Sequence, residues 1–240
     1  MAQKRAVVRQ SFPDIIAADL RQRILSGDLA EGELIRQELL AEEYDVSRMP
    51  IREALKRLDA EGLVVFTNNR GATVTKHTLE EIAEIFDVRM MLEVDLFTRA
   101  IPLMQDEHFE LCESILKEME LSYQSGDVAA WGPLNARFHS ALYAASDRKL
   151  TSNLLERASL QSNRYVSMHI DQLKKSQSAH QDHSDLLALA RQGDVQCAAD
   201  KLRSHIENTK FQVLEWIAAA RSGIAPTRSN VGRPSGRQKY

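Results

Sequence analysis

The sequence predicts a mainly α-helical protein in two parts: three short helices and a β-hairpin over residues 1–77, then an all-helical bundle over 78–221. Apolar residues recur at helical spacing along most of the chain. Two β-branched runs, Leu63–Thr67 and Ala72–Thr75, are split by Asn68-Asn69-Arg70-Gly71 and read as one hairpin, the only confident sheet. After Thr78 no comparable strand signal returns, and the Gly-Asp steps at 126–127 and 193–194 punctuate long amphipathic stretches.

Ile15, Ile16, Leu20, Ile24 and Leu25 place the first helix over 12–26, and Gly27 stops it as a C-terminal cap. Leu34 leads into a short second helix carrying Leu39, Leu40 and Tyr44, which ends near Asp45. Ser47 then offers a hydroxyl N-cap to a third helix over 48–61, whose apolar stripe is Ile51, Ala54, Leu55 and Leu58 and whose end is Gly62. In the bundle, helices are expected near 79–101, 106–125, 127–145, 148–173, 177–192 and 194–221. A helix-ending Gly before a helix-capping Asp makes the helices on either side of each step antiparallel neighbours. Residues 222–240 hold Ser, Gly, Pro and Arg without an apolar period and read as a flexible basic tail.

A chain of 240 residues suits two compact units, and its 43% hydrophobic and 27% charged residues are those of an ordinary globular protein. Cys112 and Cys197, each inside an apolar helical pattern, read as reduced, buried thiols and not as a disulfide framework. No window approaches the roughly 20 apolar residues needed to cross a bilayer, so a cytoplasmic protein without a membrane partner is expected. The net charge of −3 argues against nucleic acid until its distribution is considered. Between Ser47 and Lys76 stand six basic residues against three acidic ones, and from Arg221 onward five more basic residues meet no acid.

Arg48, Arg52 and Lys56 are spaced four apart, which puts all three on one face of the third helix, opposite its apolar stripe. A short helix, a tight turn, a second capped helix and a hairpin describe a winged helix-turn-helix, whose second motif helix reads the major groove. The DNA-facing set is Arg48, Met49, Pro50, Arg52 and Lys56, with the arginines suited to guanine edges and Lys56 to phosphate. At the hairpin tip, Asn69, Arg70 and Gly71 are placed to enter the minor groove. The operator symmetry that such readers require implies a homodimer.

Leu25-Ser26-Gly27 through Glu33-Leu34, the run from Val46 to Leu58, Glu61-Gly62-Leu63 and Asn69-Arg70-Gly71 together resemble the GntR superfamily of bacterial regulators over about the first 75 residues. That resemblance implies sequence-specific, effector-responsive DNA binding, with repression the commoner mode. The chain departs from the family pattern at Met49, where Thr is usual, at Arg36, where Ser or Asn commonly caps helix two, and at Glu38, where a DNA-contacting Arg is often found.

In the bundle, Asn135 and His139 share a helix face, while His183 and His205 lie about ten residues either side of the turn at Gly193. Three imidazoles and one amide oxygen can therefore converge on a divalent metal ion, zinc first, with nickel, iron and manganese open, leaving positions for a small anion. Residues 79–221 resemble the FCD ligand domain of the FadR-like branch, whose members often carry Asp-x-x-x-His and two further histidines. The resemblance implies that Asn135, His139, His183 and His205 are metal ligands, with Asn135 in place of the usual Asp, and that a small carboxylate is the effector. Arg89 matches a position where such domains direct an arginine at the ligand. It reads equally as a surface partner of Glu93, four residues on. Trp131 and Trp216 read as core or dimer-interface anchors. The rival functions are a helical metalloenzyme, for which no carboxylate at motif spacing offers a general base beside the histidines, and a purely structural metal site.

Overall fold

In a computed structural model of the chain, residues 11–68, 71–125, 127–173 and 177–222 are described. The first helix, α1 (Phe12–Ser26), begins at Ser11, whose backbone N–H donates to Asp14 at 3.0 Å, and ends where Gly27 takes a left-handed φ of 87°. Its buried stripe of Ile16, Leu20 and Ile24 faces α3 (Arg48–Ala60). Between them, α2 (Gln37–Glu43) meets α3 at a turn in which Asp45 adopts φ 49°. Ser47 occupies the N-cap of α3 in extended conformation but makes no side-chain capping bond, so the expected hydroxyl cap is absent.

The hairpin forms as β2 (Val64–Thr67) and β3 (Gly71–Val74), antiparallel, with Val65 opposite Thr73. A third strand that the sequence did not reveal, β1 (Leu34–Ile35), pairs with the other edge of β3 and makes the order β1-β3-β2. These elements enclose a core that includes Leu20, Ile24, Ile51, Leu55, Leu58, Ala72 and Val74.

The remaining helices are α4 (Leu79–Ala100), α5 (Asp106–Ser125), α6 (Val128–Tyr143), α7 (Lys149–Leu173), α8 (Gln177–Gln192) and α9 (Val195–Arg221). Thr78 and Glu81 cap α4 reciprocally, at 3.1 and 2.7 Å. Asp194 caps α9 by accepting from the Cys197 N–H at 3.0 Å, and the expected pairing of α8 with α9 follows. Asp127 caps α6 in the same way, and α5 packs against α6. Short 3-10 turns at Ile101–Leu103 and Ala144–Ser146, unforeseen in the sequence, close the far end of α4. The helices share a second, separate core around Phe86, Phe97, Phe138, Leu186 and Leu202.

Cys112 lies in that core, and burial pushes its thiol up to about 12. Cys197 departs from expectation. It sits in the first turn of α9, three residues after the cap, on the exposed face with Gln196 and Asp200 and off the buried stripe of Ala198, Ala199, Leu202 and Ile206. Trp131 is a buried core residue, as one of its two readings had it, and Trp216 packs partly buried against the same core. The basic tail beyond Ser222 lies outside the described residues.

The two cores meet along α7. Leu160 packs on the N-terminal core, Gln161 lies where a side chain at Gly62 would stand, and Tyr165 donates to Glu31 at 2.7 Å. Arg164, almost fully buried, donates to the carbonyls of Thr75 at 3.2 Å and Leu29 at 3.4 Å. From α9, Arg221 reaches the other oxygen of Glu31 at 3.0 Å.

Candidate functional site

The third helix divides as its sequence requires. Ile51, Ala54, Leu55 and Leu58 are buried, while Arg48, Met49, Arg52 and Lys56 are exposed and Pro50 is half-buried at the start of the helix. Two of the exposed arginines are held by acceptors at opposite edges of this face. Arg48 Nη1 lies 3.0 Å from Glu38 Oε1 on α2, and Arg52 Nη2 donates to Asn68 Oδ1 at 3.3 Å beside the hairpin. Asn69 and Arg70 fall outside the described residues. Gly71 is buried, with φ 98°, and a Cβ there would stand 2.2 Å from the Ile35 carbonyl oxygen. The close approach that this glycine permits is to β1, within the sheet.

In the bundle, α6, α8 and α9 bring His139, His183 and His205 together. One nitrogen from each ring lies within 4.8 Å of the others, and the ring centroids are 5.0 to 5.5 Å apart. His139 and His183 are buried and His205 is one-tenth exposed. The level pairing across the α8–α9 turn foreseen from the sequence is therefore present. Asn135 sits half-buried one turn before His139 on α6.

Two carboxylates that sequence reasoning missed stand behind the rings. Glu93 Oε2, on α4, is 3.2 Å from His139 Nδ1, and Asp182 Oδ2, on α8, is 3.1 Å from His205 Nδ1. An ionised carboxylate only accepts, and the Tyr143 hydroxyl, 3.0 Å from His139 Nδ1, gives its own proton to Glu93, so each Nδ1 carries the proton and each Nε2 keeps its lone pair for a metal. Both carboxylates act as ring anchors in this arrangement. Burial would raise Glu93, but the Arg89 guanidinium and hydrogen bonds from His139 and Tyr143 hold it well below the usual carboxylate range. Asp182 is held down to about 2 by its hydrogen bonds to His205 and Lys201. Burial pushes His139 below its ordinary 6.5 against the pull of Glu93, which favours the neutral ring that a metal needs. A buried set of three imidazole nitrogens with two anchored rings fits a borderline divalent ion with positions left for other ligands.

Arg89 does pair with Glu93, yet the pair is buried, which overturns the surface half of that reading. Its Nε and Nη2 lie 2.8 Å from Glu93 Oε1, and Nη1 donates to Ser162 Oγ on α7 at 3.0 Å. Tyr143 completes the network by donating to Glu93 Oε2 at 2.6 Å. Tyr143 follows His139 by four residues and Asp182 precedes His183, spacings a reader of the sequence could have weighed. Nothing in the sequence aligned Ser162 with Arg89.

Comparison with known proteins places these features in context. Residues 84–208 match the FCD domain, and residues 14–74 match the bacterial regulatory proteins of the gntR family. The gluconate operon transcriptional repressor of Bacillus subtilis is 34% identical over 132 residues, 55% of this chain and 54% of that protein. The matched stretch thus spans about half the length of that relative. The transcriptional repressor GlaR of Escherichia coli is 27% identical over 78% of this chain and 89% of its own. Among solved structures, a transcriptional regulator from Pseudomonas syringae is 28% identical with a TM-score of 0.55, covering 88% of each chain. A regulator from Rhodococcus sp. RHA1, 22% identical with a TM-score of 0.73 over 84% of this chain and 97% of its own, shares the fold. Among the described residues no helix is long and apolar enough to cross a membrane.

Proposed function

The chain belongs to the GntR family of bacterial regulatory proteins and carries an FCD domain, and from that premise we propose that it is a cytoplasmic, homodimeric repressor whose operator affinity a small carboxylate controls. On this reading residues 1–77 bind DNA, 78–221 bind ligand and dimerise, and the chain is not an enzyme. The observation that carries it is the continuity of the buried network: His139 is anchored by Glu93, Glu93 by Arg89, and Arg89 donates to Ser162 on α7. Two and three residues further along, the same helix supplies Arg164 and Tyr165 to the DNA-binding unit.

In this proposal His139, His183 and His205 hold the ion, zinc first among the candidates, with Asn135 as the oxygen donor on the same helix. A bound divalent ion would supply open coordination positions for carboxylate oxygens. Arg89, committed to Glu93 and Ser162, positions the site and keeps its remaining N–H groups for an anion. A ligand changes operator affinity only in so far as it binds one arrangement of α7 better than another. The repressor names of the relatives support repression, and the gluconate operon repressors make gluconate the first carboxylate to test.

On the DNA side, Arg48, Met49, Arg52 and Lys56 form the exposed face of α3, with Pro50 at its start and Asn69, Arg70 and Gly71 assigned to the wing. Fluorescence anisotropy on a sequence recovered by selection from random duplex DNA tests the reading. Salt-sensitive binding that Arg48→Ala and Arg52→Ala each weaken, and that metal plus gluconate or a related carboxylate alters, is the expected result. A metal whose removal unfolds the protein, with no carboxylate altering DNA binding, would favour a structural site instead.

A further inference from the structure

Glu38 is an acidic residue on a face that the proposed function turns toward DNA. It stands in α2, 52% exposed, and its described partner is Arg48 on α3, itself 69% exposed. So open an ion pair adds little to stability. Its carboxylate also opposes the approach of phosphates, which a uniformly basic surface would not do. What the pair does is geometric. One oxygen of Glu38 lies 3.0 Å from the guanidinium of the first residue of α3, and Asn68 accepts a hydrogen bond from that of Arg52 one turn later. Met49, 63% exposed, lies between them.

Resting on the reading of α3 as the DNA-facing helix, we propose that Glu38 is a specificity-determining residue of the operator interface. It holds Arg48 in the orientation that meets a guanine edge, and its Oε2 accepts from the amino group of a cytosine at the adjacent base pair. Arginine forks suit guanine O6 and N7, and a carboxylate suits cytosine N4. The bridged pair thereby reads two neighbouring positions as a unit. The carboxylate weakens binding to every sequence, and most to those that offer it no amino donor. Removing its charge should then act opposite to removing that of Arg48.

The test uses the full-length protein. Wild type is first used to select an operator from random duplex DNA. Anisotropy then measures wild type, Glu38→Gln, Glu38→Ala and Arg48→Ala on that operator, on each single-base variant and on unrelated DNA, with thermal melts as a folding control. The expected result is that both Glu38 variants bind unrelated DNA as tightly as wild type or more tightly. They should also lose discrimination on the order of tenfold at one symmetry-related position. Arg48→Ala should weaken operator binding and relax the neighbouring position. An unchanged base preference in the Glu38 variants, with affinity shifted uniformly or not at all, overturns the proposal while leaving the DNA-binding reading intact. Failure of wild type to enrich any sequence, with Arg48→Ala indistinguishable from it, overturns both.

Discussion

Glu93 Oε2 lies 3.2 Å from His139 Nδ1, so a carboxylate of α4, buried beneath the imidazole cluster, sets the tautomer of a ring on α6. The same carboxylate neutralises buried Arg89, which gives one residue two separable jobs. Glu93→Gln should lower zinc affinity by about 10–100-fold, because the ring loses its charged anchor. It should also cost about 3–5 kcal/mol of stability by leaving the guanidinium uncompensated. Arg89→Leu combined with Glu93→Leu removes both buried charges and should recover much of that stability without recovering zinc affinity. Chelator competition and urea denaturation measure the two quantities independently. Unchanged zinc affinity in Glu93→Gln would remove Glu93 from the metal site.

Metal removal should be visible in the melting curve. Zinc at a free concentration a hundred times its Kd stabilises by about 2.7 kcal/mol if it binds only the folded chain. His183→Ala and His205→Ala should each abolish that gain while leaving α3 and the hairpin folded, since the two cores are separate. Calorimetric scans with zinc and with chelator check this. A zinc-independent melting temperature in wild type would leave the three imidazoles as a packing feature.

The legible parts of the fold were those in which one local rule decides. The stripe of Ile51, Ala54, Leu55 and Leu58 opposite Arg48, Arg52 and Lys56 is a consequence of helical period alone, and the structure has it. Gly193-Asp194 stops one helix and caps the next, which is enough to bring His183 and His205 level. What escaped were features made by distant packing. β1 is two residues long, too short for any alternation to show, and exists because β3 offers it an edge. Glu93, Asp182 and Ser162 become site residues only when α4, α7 and α8 are laid beside the others. Cys197 is expected inside because its neighbours are apolar, but the stripe that α9 buries runs through Ala198, Ala199 and Leu202 and leaves Cys197 on the solvent side.

The contact of α7 with the DNA-binding unit should be separable from DNA binding itself. Tyr165 donates to Glu31 at 2.7 Å, and Ser162, one turn earlier on the helix, accepts from Arg89. Tyr165→Phe removes this bond and the weaker one its hydroxyl accepts from the His77 N–H at 3.4 Å, each worth about 1 kcal/mol, and leaves the ring in place. Operator affinity of the ligand-free variant should stay within a few-fold of wild type, whereas the ratio of affinities with and without zinc plus the carboxylate that controls wild type should move toward one. Ser162→Ala should act in the same direction. Anisotropy titrations with and without that pair give both numbers, and an unaltered ratio in both variants would rule out α7 as the link.

Gly71 offers the sharpest separation of fold from function. The hairpin pattern of the sequence places it at the wing tip, where absence of a side chain lets backbone approach DNA. The structure gives it a different constraint: φ 98° and an Ile35 carbonyl oxygen 2.2 Å from where a Cβ would be. An L-residue pays for the left-handed backbone and must also push β1 off the sheet, because the obstructing atom is main chain. Gly71→Ala should therefore destabilise the N-terminal unit by about 2–4 kcal/mol, combining the backbone and overpacking terms. The loss should appear in the absence of DNA and leave zinc affinity unchanged, since the imidazole cluster lies in the other core. If instead the variant melts like wild type and only operator binding falls, the glycine serves the DNA contact. The clash with Ile35 would then have to be relieved by a small shift of β1, against its pairing with β3 and the backbone bonds that Gly32 and Glu33 exchange with Val74. Amide exchange across Leu34 and Ile35 distinguishes these outcomes, because a displaced β1 loses its protection while a merely exposed tip leaves it intact.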